Sequence, residues 1–163
     1  MAEFTLTRRA ALGGLNEEIG GTVLREIDGT RIMTLSVPAG QESEVRRALS
    51  AKPGCALPEV GMSEAANGVR VLRLGADRLM LLHLPAPERE TAKDLPKEIG
   101  YQVDQSDYWV VLDLAGPIAV PSLERTCRLD LDAAVFAPGQ LARTPIEGVS
   151  TILVRLEPDR FLL

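Results

Sequence analysis

Few side chains in this sequence stand in patterns that perform chemistry. Asp130 and Asp132 are two residues apart, so in an extended chain both carboxylates would lie on one face. Such a pair binds a cation or transfers protons, but the pattern is more typical of a solvated strand face. Cys127 has no base near it in the sequence, and His83 is the single histidine. A lone histidine favours neither a metal site nor a Ser-His-Asp triad.

Two glycine pairs and a polar cluster are candidate binding elements. Gly13-Gly14 and Gly20-Gly21 match neither a dinucleotide-binding fingerprint nor a P-loop. Residues 104–107 (Asp-Gln-Ser-Asp) are turn formers that hydrogen-bond to local backbone, although they could also hold a ligand. Trp109 begins an apolar run and is predicted to anchor the core. Arg143 could bind a carboxylate of a partner, or pair with Asp130 or Asp132.

Composition excludes several classes of function. The chain has 163 residues and a net charge of −5, with no basic stripe of the kind that binds nucleic acid. No run approaches the roughly 20 apolar residues that span a bilayer. Thr7-Arg8-Arg9 begins like a twin-arginine export signal, but Glu17 and Glu18 lie where the apolar run should be. With two cysteines and no export signal, a cytoplasmic protein with reduced thiols is predicted.

Hydrophobic periodicity predicts alternating strands and helices after residue 29. Residues 1–29 are interrupted by glycines, so this segment is predicted to be an N-terminal arm that is disordered or docks on a partner. A long irregular stretch is expected at 128–144. The predicted strands are 31–37, 69–74, 79–84, 108–114, 150–156 and 160–163, and the predicted helices are 41–51, 87–99 and about 118–127.

Two segments of the chain resemble each other. Asp77-Arg78 and Asp159-Arg160 each follow an Arg-Leu pair at the same spacing, and they lie 82 positions apart. Residues 30–100 and 104–163 therefore indicate two half-repeats, each strand, helix, strand, strand. The predicted class is a single α+β domain (30–163) of antiparallel sheets with helices packed on them. Only the first half continues into a helix, so we expect either that the chain is cut short before a C-terminal helix or that a partner covers the last strand.

The second half resembles a known family. The matching positions extend over about 104–157, and an N-terminal match extends over 4–15. They are Asp104-Gln105-Ser106-Asp107-Tyr108-Trp109, Leu112, Gly116-Pro117, Cys127-Arg128-Leu129-Asp130-Leu131, Phe136, Pro138-Gly139, Arg143-Thr144 and Leu6-Thr7-Arg8-Arg9-Ala10-Ala11-Leu12-Gly13. Together they resemble the gamma subunits of heterotetrameric sarcosine oxidases. This resemblance implies a fold similar to the folate-binding domain of the glycine-cleavage T-protein.

The resemblance also implies a function. The complex demethylates sarcosine to glycine oxidatively, and it passes the one-carbon unit to tetrahydrofolate. FAD, FMN, NAD and tetrahydrofolate belong to the larger subunits, so no cofactor, metal or catalytic residue is expected on this chain. Its partners would be the alpha, beta and delta subunits, with neither nucleic acid nor membrane. Family members continue past the position of Leu163. The residues predicted to contact partners are Arg8, Arg9, Asp104, Trp109 and Arg143.

Two alternatives remain open. One is a stand-alone folate-binding protein of the same fold, in which Asp104 or Asp130 would hold the pterin nitrogens. The other is a small enzyme that uses Cys127 or the pair Asp130 and Asp132.

Overall fold

The computed structural model describes Thr7, residues 9–85 and residues 95–163. In these ranges the chain is α+β, with antiparallel strands, two α-helices and one 3-10 turn at Lys97–Ile99. The helices are α1 (Glu42–Ala51) and α2 (Ala119–Thr126). The strands are β1 (Asn16–Ile19), β2 (Thr22–Glu26), β3 (Arg31–Ser36), β4 (Ser63–Ala66), β5 (Val69–Gly75), β6 (Arg78–His83), β7 (Tyr101–Asp104), β8 (Leu112–Ala115), β9 (Leu141–Ile146), β10 (Val149–Glu157) and β11 (Arg160–Leu162).

The strands form two antiparallel sheets. The six-stranded sheet has the order β1-β2-β8-β11-β10-β9, and the five-stranded sheet has the order β4-β5-β6-β3-β7. In the first, Leu24 lies opposite Leu114, and Leu114 lies opposite Phe161. In the second, Met33 of β3 lies opposite Leu81 of β6.

The layers follow the order helix, sheet, sheet, helix, with a core in each gap. Helix α1 buries Val45 and Leu49 on the five-stranded sheet. Helix α2 buries Ala119 and Leu123 on the six-stranded sheet. The core between the sheets consists of apolar residues from both: Ile32, Leu72, Met80, Leu82, Val111, Leu141, Ile152, Val154 and Leu162.

Central strands are apolar on both faces because each sheet is covered on both sides. Along β6, Leu79 and Leu81 contribute to the α1 core, whereas Met80 and Leu82 contribute to the inter-sheet core. This pattern explains why the continuous apolar runs of β5, β6 and β10 could be recognised as strands. The predictions for β3, β11, α1 and α2 are confirmed as well, within one or two residues.

Four strands after residue 29 were not predicted correctly, and each has a weak pattern. β4 and β7 are short edge strands with polar or exposed residues, so no apolar alternation marks them. β9 begins at Leu141, inside the stretch predicted to be irregular. The strand predicted at 108–114 is wrong at its start, because only residues from Leu112 onward pair. Most of the helix predicted at 87–99 lies outside the described residues.

The prediction that residues 1–29 lack regular structure is wrong for Asn16–Glu26. These residues form the β1–β2 hairpin, and β2 pairs with β8. Gly20 and Gly21, which looked like interruptions, have φ values of 57° and 74° and form its two-residue turn. A turn with positive φ at both positions matches the twist of the flanking strands and is most readily adopted by glycine.

Two series of elements show corresponding strand pairing. The series β3-α1-β4-β5-β6 and β8-α2-β9-β10-β11 pair in the same order, β4-β5-β6-β3 and β9-β10-β11-β8. Each contains a β-bulge at the equivalent place, between Arg73 and Gly75 and between Arg155 and Glu157. The two series meet at a bridge between Met62 and Gln140.

No helix in the described part of the chain is long and apolar enough to cross a membrane.

Candidate functional site

Asp104 ends β7 in a network of local hydrogen bonds. The Ser106 hydroxyl and N–H donate to its Oδ1 at 2.6 and 2.9 Å, and Arg31 Nε donates to Oδ2 at 3.4 Å. The Ser106 hydroxyl oxygen in turn accepts the N–H of Ile32 at 3.0 Å. The Ser106 hydroxyl first, and then its N–H and Arg31, hold the pKa of Asp104 below its usual range. Asp104 is therefore an exposed carboxylate that stays ionised at neutral pH.

Trp109 lies between the surface and the core. It packs against the inter-sheet core, and its Nε1–H donates to Gln105 Oε1 at 3.2 Å. The exposed ring of Tyr108 meets it edge to face, with centroids 5.3 Å apart. This arrangement agrees with the predicted core contact and holds the neighbouring tyrosine at the surface.

The arginine candidates lie apart from this segment. Arg143 is exposed on β9, at the opposite edge of the six-stranded sheet from β1, and it forms no ion pair with any described residue. Arg143 therefore does not pair with Asp130 or Asp132, which the sequence analysis gave as the alternative. Arg9 is exposed just before residues 10–15, the N-terminal turn. Arg8 lies outside the described residues.

Glu26 holds the N-terminal turn against the six-stranded sheet. Its carboxylate accepts the N–H of Leu12 at 3.1 and 3.2 Å and the N–H of Gly14 at 2.8 Å. The backbone of Glu26 also donates to the Leu15 carbonyl at 2.8 Å. Burial alone would raise the pKa of Glu26, but these N–H donors lower it overall. Residues 12–15 are therefore attached to the sheet through Glu26, by both its carboxylate and its backbone N–H.

A small groove lies between this turn and the segment that contains Trp109. Its volume is about 50 Å³, and its lining residues are Ala11, Glu26, Ile27, Asp28, Gly29, Thr30, Trp109, Val110 and Val111. Pockets for drug-sized ligands or cofactors generally measure about 300 Å³ or more. Trp109 and the N-terminal turn thus line the same groove, and this groove is too small for a folate.

Asp113 is a charged centre that the sequence did not reveal. Only 6% of its side chain is exposed, and it accepts hydrogen bonds from two arginines. Arg25 Nη2 lies 3.0 Å from its Oδ2, and Arg160 contacts both oxygens at 3.0 and 3.1 Å. The hydrogen bond to Asp113, together with Glu157, raises the pKa of Arg160. The cluster joins β2, β8 and β11 and is suited to stabilising the sheet.

Two buried arginines occupy the equivalent β-bulges. Arg155 donates to the carbonyls of Leu131 and Phe136 at 2.8 and 2.7 Å, and to that of Pro158. Arg73 donates to the Pro58 carbonyl at 3.1 Å. Both side chains are bound to loop backbone, so they serve the fold. The one sequence signal for them was the repeated Arg-Leu pair.

The aspartates and cysteines that are candidates for chemistry either stabilise turns or are buried. Asp130 accepts the N–H of Asp132, and Asp132 accepts that of Ala134, so both carboxylates stabilise turns and not the face of a strand. Both cysteines are buried, and burial is the main cause that raises the pKa of the Cys55 thiol. Among the described residues, no group of three or more His, Cys, Asp and Glu could hold a metal ion.

Comparison with known proteins finds similarity to a subunit of an oxidase. No family model matches the chain. It is 32% identical over 169 residues to sarcosine oxidase subunit gamma of an Arthrobacter species, covering 95% of this chain and 80% of that protein. Its structure matches a chain of the heterotetrameric sarcosine oxidase from Corynebacterium sp. U-96, solved with pyrrole 2-carboxylate. The TM-score is 0.68 at 27% identity, over 86% of this chain and 73% of that one.

Proposed function

Since the chain belongs to the family of sarcosine oxidase gamma subunits, we propose that it is an accessory subunit of a heterotetrameric sarcosine oxidase. The observation that carries this role is the similarity to a gamma subunit over 95% of the chain. The match to a chain of a solved heterotetramer gives independent support.

The catalytic chemistry is assigned to the partner subunits. The complex would demethylate sarcosine to glycine and transfer the one-carbon unit to tetrahydrofolate, with FAD, FMN and NAD on its larger chains. The partners would be the alpha, beta and delta subunits, in the cytoplasm. In this chain, the carboxylates Asp113, Asp130 and Asp132 are committed to ion pairs or turns, and Cys127 is buried. These assignments support a structural role for the chain.

The fold is proposed to consist of two half-repeats like those of the glycine-cleavage T-protein folate-binding domain. The identical pairing orders of the two series support this proposal. So do the bulges at Arg73 and Arg155, which are 82 positions apart, as are Asp77 and Asp159. Equivalent hydrogen bonds accompany the bulges: Gly61 N–H donates to the Arg73 carbonyl, and Gly139 N–H donates to the Arg155 carbonyl.

The contact residues are proposed on two sides of the domain. Asp104 and Trp109 mark one region, and Arg9 precedes the turn that shares the groove with Trp109. Arg143 marks a second region on β9, where its exposed guanidinium would meet an acidic group of a partner. The segment 1–29 is proposed to dock on a partner through its first part, because Asn16–Glu26 belongs to the sheet.

Co-expression tests the accessory role directly. The tagged chain is produced with alpha, beta and delta subunits from the same genome, and sarcosine-dependent peroxide formation is measured with and without it. We expect stoichiometric co-purification, and loss of activity or thermal stability when the chain is omitted. A folded monomer that binds none of the three would contradict the proposal. Folate titration of that monomer would then test the folate-binding alternative.

Charge reversal tests the arginine contacts. Arg9→Glu and Arg143→Glu are each expected to reduce co-purification. The matched control is Arg125→Glu, which changes an exposed arginine on α2. Equal losses for all three variants would point to net charge and not to specific contacts.

A further inference from the structure

Large exposed side chains lie on β7 and on the segment that follows it. The sequence has two tyrosines and one tryptophan, and all three lie within residues 101–109. Tyr101 is 76% exposed, Tyr108 is 77% exposed and Val103 is 53% exposed. Tyrosine and tryptophan are enriched where proteins bind each other. A surface this apolar, in a chain with so few aromatic residues, indicates an interface.

The backbone of β7 is open along one side. β7 is the last strand of its sheet and pairs with β3. Gln105 N–H donates to the Ile32 carbonyl, so alternate residues of β7 point their backbone groups toward β3. The N–H and C=O groups of Gln102 and Asp104 therefore point outward, and no described residue hydrogen-bonds them on that side. Such an edge is a template for another strand.

The side chains of β7 continue a face that is buried elsewhere. Val103 lies opposite Thr34, and Thr34 lies on the same face of β3 as Ile32. Ile32 is buried in the core between the two sheets. Tyr101 and Val103 thus extend the inner face of the five-stranded sheet beyond the area that the other sheet covers.

The order of strands favours an additional strand at this position. In the six-stranded sheet, β2 pairs with β8, and β1 pairs with the outer side of β2. β7 occupies the corresponding place beside β3, because β3 and β8 begin the two equivalent series. A strand added outside β7 would occupy the place that β1 has in the other sheet.

The charged residues near β7 indicate which kind of partner segment would bind along this edge. Residues 101–111 include Asp104 and Asp107 and no Lys or Arg. Both carboxylates are exposed, and Arg31 contacts Asp104 at 3.4 Å. A segment that lies along this edge would gain from a basic residue near Asp107.

We propose that the outer edge of β7 pairs with an extended segment of a partner subunit that carries apolar residues and at least one Lys or Arg. This proposal rests on the proposed function, since it specifies where the accessory subunit meets its complex. Backbone hydrogen bonds supply part of the affinity, and Tyr101 and Val103 fill the apolar contacts.

Side-chain variants test the apolar and charged contacts in the co-expressed complex. Val103→Lys is expected to lower the affinity for the partner subunits by about 10-fold or more, as for a central contact residue. Asp107→Lys is expected to lower it less, with an effect that fades at high salt. Val149→Lys is the matched control, because Val149 is 67% exposed at another hairpin. Thermal unfolding of each isolated variant tests whether the domain is still folded.

A proline variant tests strand pairing itself. Gln102→Pro removes an outward N–H, and proline is tolerated on an edge strand at such a position. Gln102→Ala is its control, because both changes remove the side-chain bonds to the Leu95 and Pro96 carbonyls. Loss of binding with Gln102→Pro and retention with Gln102→Ala is expected. Retention with both would overturn strand pairing.

The outcomes separate the two proposals. If the unchanged chain fails to co-purify with any subunit, the proposed function fails. If the unchanged chain assembles and Val103→Lys and Gln102→Pro assemble equally well, the function stands and the β7 proposal is overturned. Sedimentation of the isolated chain tests whether a second copy binds at this edge. A dimer that Val103→Lys dissociates would assign the edge to a second copy and not to a partner subunit.

Discussion

Asp113 shows how one carboxylate joins three strands. It lies on β8, Arg25 lies on β2 and Arg160 lies on β11, so the two ion pairs connect neighbours on both sides of β8. The carboxylate is nearly buried, whereas the arginine side chains are 54% and 39% exposed. Water therefore screens the two cations more than the anion, which keeps the cost of losing Asp113 below that of a fully buried ion pair.

Asp113→Asn is expected to lower the free energy of unfolding by about 1–3 kcal/mol, because hydrogen bonds to charged groups contribute on this order. Urea unfolding of the isolated chain measures the change. Asp107→Asn is the control, since Asp107 is exposed and makes no hydrogen bond or ion pair with the described residues. Equal stability of both variants would show that the cluster contributes nothing.

Glu26 makes stability depend on pH in the acidic range. Its pKa in the folded chain is below the ordinary value of 4.5, so protonation favours the unfolded state. Its contribution is complete above pH 4.5 and is lost as pH falls through the lowered pKa. The stability difference between the unchanged chain and Glu26→Gln is therefore expected to shrink on acidification. Unfolding measured from pH 7 to pH 3 tests this, with the exposed Glu17→Gln as control, and a constant difference would refute it.

At the scale of elements, hairpin turns and close contacts decide where strands can pair. Gly116 follows β8 with φ of 137°, and a Cβ there would lie 2.5 Å from the Gly21 carbonyl oxygen and from Thr22 Cα. β8 can therefore pair with the start of β2 only if residue 116 has no side chain. The apolar runs predicted β8 and β10, but nothing near residues 16–26 could indicate that β2 would find its partner 88 residues later.

Gly116→Ala is expected to destabilise the chain by more than about 2 kcal/mol, since the added methyl group would collide with backbone. Gly148→Ala is the matched control, because Gly148 has φ of 82° with nothing within 4 Å. The control carries the backbone strain alone, about 1 kcal/mol. Thermal unfolding of both variants compares them, and equal losses would mean that strain and not the contact with β2 matters.

At the scale of the whole molecule, the two halves are interlocked. Residues 16–26 complete the sheet formed mainly by residues 112–162, while β3 to β7 form the other sheet. The core between the sheets takes side chains from both. The core between the sheets therefore cannot persist when either sheet unfolds.

The described domain is expected to unfold in one cooperative transition. Leu49→Ala in the α1 core and Leu153→Ala in the α2 core should each lower the same transition by about 2–5 kcal/mol. Trp109 fluorescence and far-ultraviolet circular dichroism, followed in urea, should give coincident curves. Two separate transitions, each sensitive to one variant, would show that the halves unfold independently.

The sequence by itself determined the features that depend on near neighbours. Continuous apolar runs identified the central strands, helical spacing identified α1 and α2, and Asp104, in the segment predicted to form a turn, bonds to backbone two positions away. The order of the predicted strands and helices indicated the α+β class, and the repeated Arg-Leu pair is visible in the sequence itself.

Only the tertiary structure decided the features that depend on distant partners. Asp113 meets arginines 88 and 47 positions away, and the edge strands β4 and β7 gain their pairing from strands that are already buried. The exposure of Tyr101 and Val103 was likewise invisible, because it depends on where the covering sheet ends. Sequence patterns report local periodicity, whereas burial and long-range pairing are properties of the assembled layers.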